Sequence, residues 1–415
     1  MGFDYRENQL YCDGLSVQEM TARVGTPFYC YSADLIREQF CRYRDRFSTP
    51  GSMVCYAVKA NSNQSVIALL GRLGAGADVV SAGELRRALD AGIPADRIVF
   101  SGVAKTAADM RYGLESGIFQ FNVESEPELE QLSISATALG CEAPVAFRIN
   151  PDIDAGTHEK ITTGKAANKF GIPSSRAMEV YARAAELSGI RVQGIATHIG
   201  SQLTDLAPFE QSFRCHARLV QALRAQGHDI SVLDIGGGLG IDYKDGAPKP
   251  PRVESYAARA REILGPLGCR ILVEPGRSIV GEAGVLVSRV IYVKEGEQVR
   301  FLIIDAGMND LLRPSLYDAH HEIAAVCPAS GTARPYDVVG PICETGDTFA
   351  RQLDLPPMSP GELVAIRNAG AYGAVMASTY NTRPLVPEVM VDEGRMSLVR
   401  RRIEAEEVIA MDILP

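Results

Sequence analysis

Eight short apolar runs recur near residues 53–58, 76–80, 97–100, 119–123, 144–149, 190–198, 231–235 and 269–274. Stretches with apolar residues at helical spacing separate them, near 64–74, 83–91, 106–116, 126–139, 174–188, 208–226 and 254–264. Parallel strands need a long crossover between them, and a helix fills that length. Eight such units in succession predict a (β/α)8 TIM-type barrel. An open doubly wound sheet shares the alternation, but the count of eight favours closure. Local start signals agree: Thr106 precedes Ala107-Ala108-Asp109, and Ser125 precedes a first turn containing Pro127. Asp34 is expected to cap an earlier helix with Leu35, Ile36 and Phe40 on its apolar face.

The texture changes from Glu282 onward. Strand-like runs at Gly284 to Val293, Val299 to Asp305, Tyr336 to Val339, Leu363 to Ile366 and Glu388 to Val391 alternate with Gly, Pro and Asp turns. One short helix is expected near Leu316 to Ile323. Residues 1–30 read as strands and turns, including Gln9 to Cys12 and Pro27 to Tyr31. The expected architecture is α/β: a barrel over 31–275, and a C-terminal β-sandwich or β-barrel domain from 276–415 joined by 1–30.

Charge and composition narrow the partners. A net charge of −9 with no basic run argues against a nucleic-acid surface. No apolar run approaches the ~20 residues that span a bilayer, and the first residues lack a basic-then-apolar leader, so no membrane association is expected. Nine cysteines without a Cys-x-x-Cys pair suit a reducing, cytoplasmic setting and argue against a disulfide framework or structural zinc. His320 and His321 are adjacent but fit no metal-binding spacing, so no metal is expected.

In a barrel, chemistry collects at the carboxyl ends of the strands, and phosphate commonly binds after the seventh and eighth. Lys59 ends the first run, in Tyr56-Ala57-Val58-Lys59-Ala60-Asn61. Partial desolvation there lowers a lysine pKa towards nucleophilic use, for example as a Schiff base with a carbonyl. A lysine that merely snorkels from a strand end is the bland alternative. The seventh run leads into Gly236-Gly237-Gly238, whose bare amides can wrap an anion, and the eighth into Glu274-Pro275-Gly276-Arg277. A lysine for an aldehyde plus a phosphate cradle points to pyridoxal 5'-phosphate, and Glu274 suits its pyridine nitrogen. His198, after the sixth run, offers a flat ring for stacking, and Ser201 offers a hydroxyl for the phosphate. Closure of the sheet would bring the Lys59 strand beside the cradle, so the lysine's role and the barrel stand or fall together.

These motifs resemble the fold type III pyridoxal-phosphate decarboxylases, the alanine-racemase-like barrel family. The resemblance covers nearly the whole length. It rests on the Lys59 hexapeptide, Asp78 to Glu84, Asn150-Pro151-Asp152 with Lys169 to Ile172, His198 to Gln202, Gly236 to Gly238 and Glu274 to Arg277. Arg313-Pro314-Ser315-Leu316-Tyr317, Cys343 to Asp347 and Gly370-Ala371-Tyr372-Gly373 complete it. Within the family it is to members that decarboxylate meso-2,6-diaminopimelate to L-lysine, the last step of lysine biosynthesis.

The resemblance implies that Lys59 holds the cofactor aldehyde and His198 stacks on its ring. Ser201, Gly237, Gly238, Gly276 and Arg277 would hold the phosphate, Glu274 would meet the ring nitrogen, and Tyr372 would lie beside cofactor and substrate. Arg277, Arg313, Tyr317 and Glu344 would fix the substrate's distal end, and Cys343 would supply the replacing proton. It further implies a homodimer, with Cys343 and Glu344 crossing to the partner's site. Chemistry agrees independently: a guanidinium pairs with a distal carboxylate through two parallel hydrogen bonds, and Glu344 suits a distal ammonium. Surface ion pairing of Arg313 and apolar burial of Cys343 are the bland alternatives. A polyamine-precursor or carrier-linked decarboxylase, an amino-acid racemase and a non-catalytic cofactor-binding relative are the competing functions. The 150–172 segment has few apolar residues for its length and is expected to be a mobile lid.

Overall fold

The computed structural model describes residues 2–154, 164, 168–243 and 249–415. Its apolar runs form eight parallel strands: β1 (Met53–Ala57), β2 (Gly76–Val79), β3 (Ile98–Phe100), β4 (Gln120–Val123), β5 (Ala143–Asn150), β6 (Ile190–Ala196), β7 (Val232–Asp234) and β8 (Arg270–Val273). Each pairs with the next, and β8 returns to β1 through Leu272↔Met53 and Val273↔Val54. That last pairing removes both sheet edges and decides for the barrel over an open sheet.

Two compact units divide the chain: Gln39–Ile241 with Pro248–Ser278, and Met1–Glu38 with Asp242–Ala247 and Ile279–Pro415. The first unit is the barrel. Met53, Cys55, Val99, Val232 and Leu272 form a buried cluster drawn from β1, β3, β7 and β8. Removing such aliphatic side chains from water stabilises by about 1.5–3 kcal/mol each. The carboxyl ends of the strands differ: Asp78, Ser101, Asn122, Asp234 and Glu274 all lie buried there or just beyond. Buried polar groups destabilise unless they are hydrogen-bonded, so this end of the barrel is built for something other than stability. Helix starts follow the sequence signals. Thr106 and Asp109 form a capping box on the helix Ala107–Ser116, and Ser125 Oγ accepts from the Glu128 amide at the start of Glu126–Leu139.

The second unit is a sheet in the order Thr348–Leu355, Arg334–Val339, Arg300–Ile304, Gly284–Glu295, Phe28–Ser32, Glu388–Asp392, Arg395–Arg400. Leu363–Ile366 also pairs with Gly284–Glu295. The early strand Phe28–Ser32 is therefore internal, antiparallel to Gly284–Glu295 and parallel to Glu388–Asp392. Phe28 and Cys30 pack with Leu10, Val17, Met20, Val285, Val287 and Val389 in one cluster.

Four local expectations are corrected. Residues 1–30 are not all strands and turns, because Val17–Val24 is a helix burying Val17, Met20 and Thr21. The helix Ala33–Arg46 is capped by Ser32, whose Oγ accepts from the Leu35 amide, rather than by Asp34. Asp34 sits inside its first turn. The helix expected at Leu316 to Ile323 lies earlier, at Arg313–Tyr317; Asp318 takes a left-handed φ of 50° and ends it, and Ile323–Ala325 is a strand. Strands Thr348–Leu355 and Arg395–Arg400 complete the sheet without having been expected.

Candidate active site

The barrel mouth holds a cavity of about 370 Å³ lined by Lys59, Ser101, Asn122, Arg148, His198 and Glu274 among others. β1 delivers Lys59 in the short turn Val58–Ala60 that follows it. The Lys59 ammonium pairs with the fully buried Asp78 from β2. Sequence reading quoted Asp78 within a motif but gave it no role; the register of β1 and β2, which sets Ala57 opposite Asp78, brings the two together.

Glu274 follows β8. Burial, with the Asp234 and Asp78 charges added to it, pushes its carboxyl well above the usual carboxylate range, while Lys59 pulls the other way. Asn122 bridges the group, its Nδ2 donating to Ser101 Oγ at 3.1 Å, to Asp234 Oδ2 at 2.9 Å and to Glu274 Oε1 at 3.4 Å. This cluster of buried acids favours a cationic partner beside Glu274, and a protonated pyridine nitrogen is such a partner.

His198 is held in the opposite state. Burial, then the charges of Arg148 and Lys59, depress its pKa well below the ordinary histidine range, so the ring is neutral. Its Nδ1 accepts from the Gly237 amide at 3.2 Å. Arg148 is fixed by Glu124 at 3.1 Å and lies over the Phe170 ring at 4.9 Å. None of Asp234, Asn122, Arg148 and Glu124 was singled out from the sequence. Their only signal was a polar residue at or just past a buried strand's end.

The cradle must be glycine. Gly236 and Gly238 adopt φ of 66° and 105°, which favour glycine. A Cβ on Gly237 would sit 2.2 Å from the Glu274 carbonyl oxygen, and one on Gly238 2.3 Å from that of Gly200. Gly276 packs as tightly, with Ala60 Cβ at 2.8 Å from its missing Cβ. Arg277 Nη2 donates to Ser201 Oγ at 3.0 Å, so the guanidinium and the hydroxyl converge. Bare backbone, a hydroxyl and a guanidinium suit a phosphate, as the acid cluster and neutral imidazole suit a pyridine ring. The residues present therefore fit pyridoxal phosphate.

The remaining predicted residues lie in the second unit. Arg313 is buried at the start of its short helix and Tyr317 half-buried at its end. Cys343 and Glu344 are exposed on a turn, and Tyr380 Oη donates to Glu344 Oε1. Asp347 organises that turn, accepting from the Ile342 and Met308 amides at 2.7 Å each. Ser315 Oγ donates to the Gly346 carbonyl at 2.6 Å, tying the Arg313 helix to it. Tyr372 is half-buried with a left-handed φ of 55°, unusual for an aromatic residue. Most of the expected lid, residues 155–163 and 165–167, lies outside the described residues. Its flanks are anchored, with Asn150 Nδ2 donating to the Phe170 carbonyl at 3.2 Å and the Gly171 amide to Glu124 Oε2 at 3.1 Å.

Residues 33–281 match the family model described as pyridoxal-dependent decarboxylase, pyridoxal binding domain. The chain is 50% identical over 410 residues to the diaminopimelate decarboxylase of Zymomonas mobilis, covering 98% of this chain and 97% of that one. The chain belongs to the diaminopimelate decarboxylase family. Another member, from Pseudomonas aeruginosa, is 49% identical over 412 residues, covering 99% of each chain. The crystal structure of the Helicobacter pylori diaminopimelate decarboxylase, complexed with L-lysine, superposes with a TM-score of 0.92 at 42% identity, covering 95% of this chain and 98% of that one. Membership in this family makes the chain a pyridoxal-phosphate-dependent carboxy-lyase. No described helix is long and apolar enough to cross a membrane.

Proposed function

We propose that the chain converts meso-2,6-diaminopimelate to L-lysine and carbon dioxide. The observation that carries the substrate choice is Arg313, a guanidinium buried in the fold and held by His321. It matches a distal carboxylate, which meso-diaminopimelate carries and ornithine lacks. When bound, the cofactor supplies an electron sink for the pair of electrons released as carbon dioxide leaves. Lys59 would hold its aldehyde, with Asp78 steadying the amine. Glu274 would favour a positive charge at the ring nitrogen, and neutral His198 would offer its flat face to the ring without competing for that proton. Ser201, Gly237, Gly238, Gly276 and Arg277 hold the phosphate. Tyr372 borders cofactor and substrate, Arg277, Arg313, Tyr317 and Glu344 fix the substrate's far end, and the Cys343 thiol gives Cα the proton that replaces the lost carboxyl group.

Cys343 and Glu344 act in the site of a second copy of the chain, so the active form is a homodimer; nine cysteines without a Cys-x-x-Cys pair support a cytoplasmic setting for it. The exposure of both side chains on a turn braced by Asp347 supports this reading. Carbon dioxide release from meso-diaminopimelate, measured beside ornithine, arginine and carboxynorspermidine, tests the assignment. Turnover of the first alone is expected. Release from another substrate with none from the first would overturn it.

A further inference from the structure

His321 was notable in the sequence only as half of an adjacent histidine pair. We propose that it is a positioning residue for Arg313, setting the guanidinium for the substrate's distal carboxylate and doing so only in its neutral form. The inference rests on the role given above to Arg313.

Arg313 Nη1 lies 2.8 Å from His321 Nε2, and His321 Nδ1 lies 2.8 Å from the Arg367 carbonyl oxygen. The chemistry of the partners fixes the tautomer. A guanidinium has donors and no acceptor, so Nε2 must accept; a carbonyl has no hydrogen, so Nδ1 must donate. Only the neutral Nδ1–H imidazole makes both bonds. Tyr243 bounds the guanidinium on a second side, its ring centroid 4.6 Å from the guanidinium carbon. The same tyrosine meets His321 edge-on, with centroids 5.3 Å apart. One edge and one face of the guanidinium are thus set by His321 and Tyr243. Two parallel hydrogen bonds to a carboxylate demand that orientation, because they form only in the guanidinium plane.

A proton added at Nε2 would replace the acceptor with a donor and set a second positive charge against Arg313. Around the imidazole, Arg313 comes from the short helix, Tyr243 from the segment after the glycine cradle, and Arg367 from the loop after Leu363–Ile366. His320 and Glu322 are its chain neighbours, and Glu322 Oε1 lies 3.8 Å from Arg367 Nε. His321 is itself 1% exposed, so water does not readily replace a lost bond.

The test uses the holoenzyme with His321→Leu and His321→Gln. The leucine removes the acceptor; the glutamine restores one near Nε2. His321→Leu should raise KM for meso-diaminopimelate roughly tenfold with a much smaller change in kcat, the scale of one hydrogen bond to a charged group. It should weaken L-lysine binding by a similar factor in calorimetry and leave 1,5-diaminopentane, which lacks the carboxylate, unaffected. His321→Gln should recover most of the lost affinity. Unchanged KM and lysine affinity in His321→Leu, or failure of His321→Gln to recover any of the loss, would overturn the proposal. Wild-type turnover of meso-diaminopimelate in the same assay assigns such a failure to His321 and not to the substrate.

Discussion

His216 lies on the helix Ala207–Ala225, fully buried, and neither ring nitrogen has a close hydrogen-bond partner among the described residues. Burial lowers its pKa to about 4, against a smaller opposing pull from the Ser212 and Asp234 backbones. An unfolded histidine titrates near 6.5. Between about pH 6.5 and pH 4 the unfolded chain therefore binds a proton that the folded chain refuses, and folding weakens as pH falls through that window. At 1.36 kcal/mol per unit, about 2 kcal/mol of stability is lost by about pH 5, rising to about 3 kcal/mol below pH 4. His216→Leu removes the titration at similar volume. Urea unfolding of both proteins at about pH 7.5 and pH 5 gives the comparison, since all other titrating groups cancel between them. The variant should gain about 2 kcal/mol on wild type between the two conditions. A stability difference independent of pH would refute the reasoning, because it would mean that the folded protein accommodates the protonated ring.

Two further outcomes concern the cofactor. Gly237→Ala forces a Cβ to within 2.2 Å of the Glu274 carbonyl oxygen, so it should displace either the cradle or Glu274. Equilibrium dialysis should show cofactor affinity reduced by at least about tenfold, on the scale of losing one or two charge-assisted hydrogen bonds. Lys59→Ala should eliminate both turnover and the visible absorption of the lysine-bound cofactor, and survival of either would remove Lys59 from its assigned role.

The barrel was legible because burial on both faces writes each parallel strand as a short apolar run, and the crossover helices keep their own period. Lys59, His198, the glycines and Glu274 were legible for a related reason: each interrupts or follows such a run at the end where loops gather. The β unit was less so. Thr348–Leu355 buries only Phe349 and Leu355 and exposes Arg351, Gln352 and Asp354, so it produced no run. The helix Val17–Val24 is barely two turns long and sits between strands. Asp34 lost the cap to Ser32 because both are good capping residues and only the chain path decides between them. Asp234 and Asn122 stayed hidden inside apolar runs. His321 could not be read at all: Arg313 lies only eight residues before it, but Tyr243 and Arg367, which complete its surroundings, come from distant places in the chain.

The strand pairing that seals the barrel joins Met53 to Leu272, and the sheet of the second unit joins Tyr29 to Glu388. Both contacts span long stretches of chain, and neither can form while the later partner is still inside the ribosome. Lys59 is made early but has no phosphate cradle until residues 236–238 and 276–277 have followed it. An incomplete nascent chain thus has nowhere to keep the reactive aldehyde. The colour of the bound cofactor, followed during synthesis or refolding, should report completion of the ring and not the appearance of its first helices.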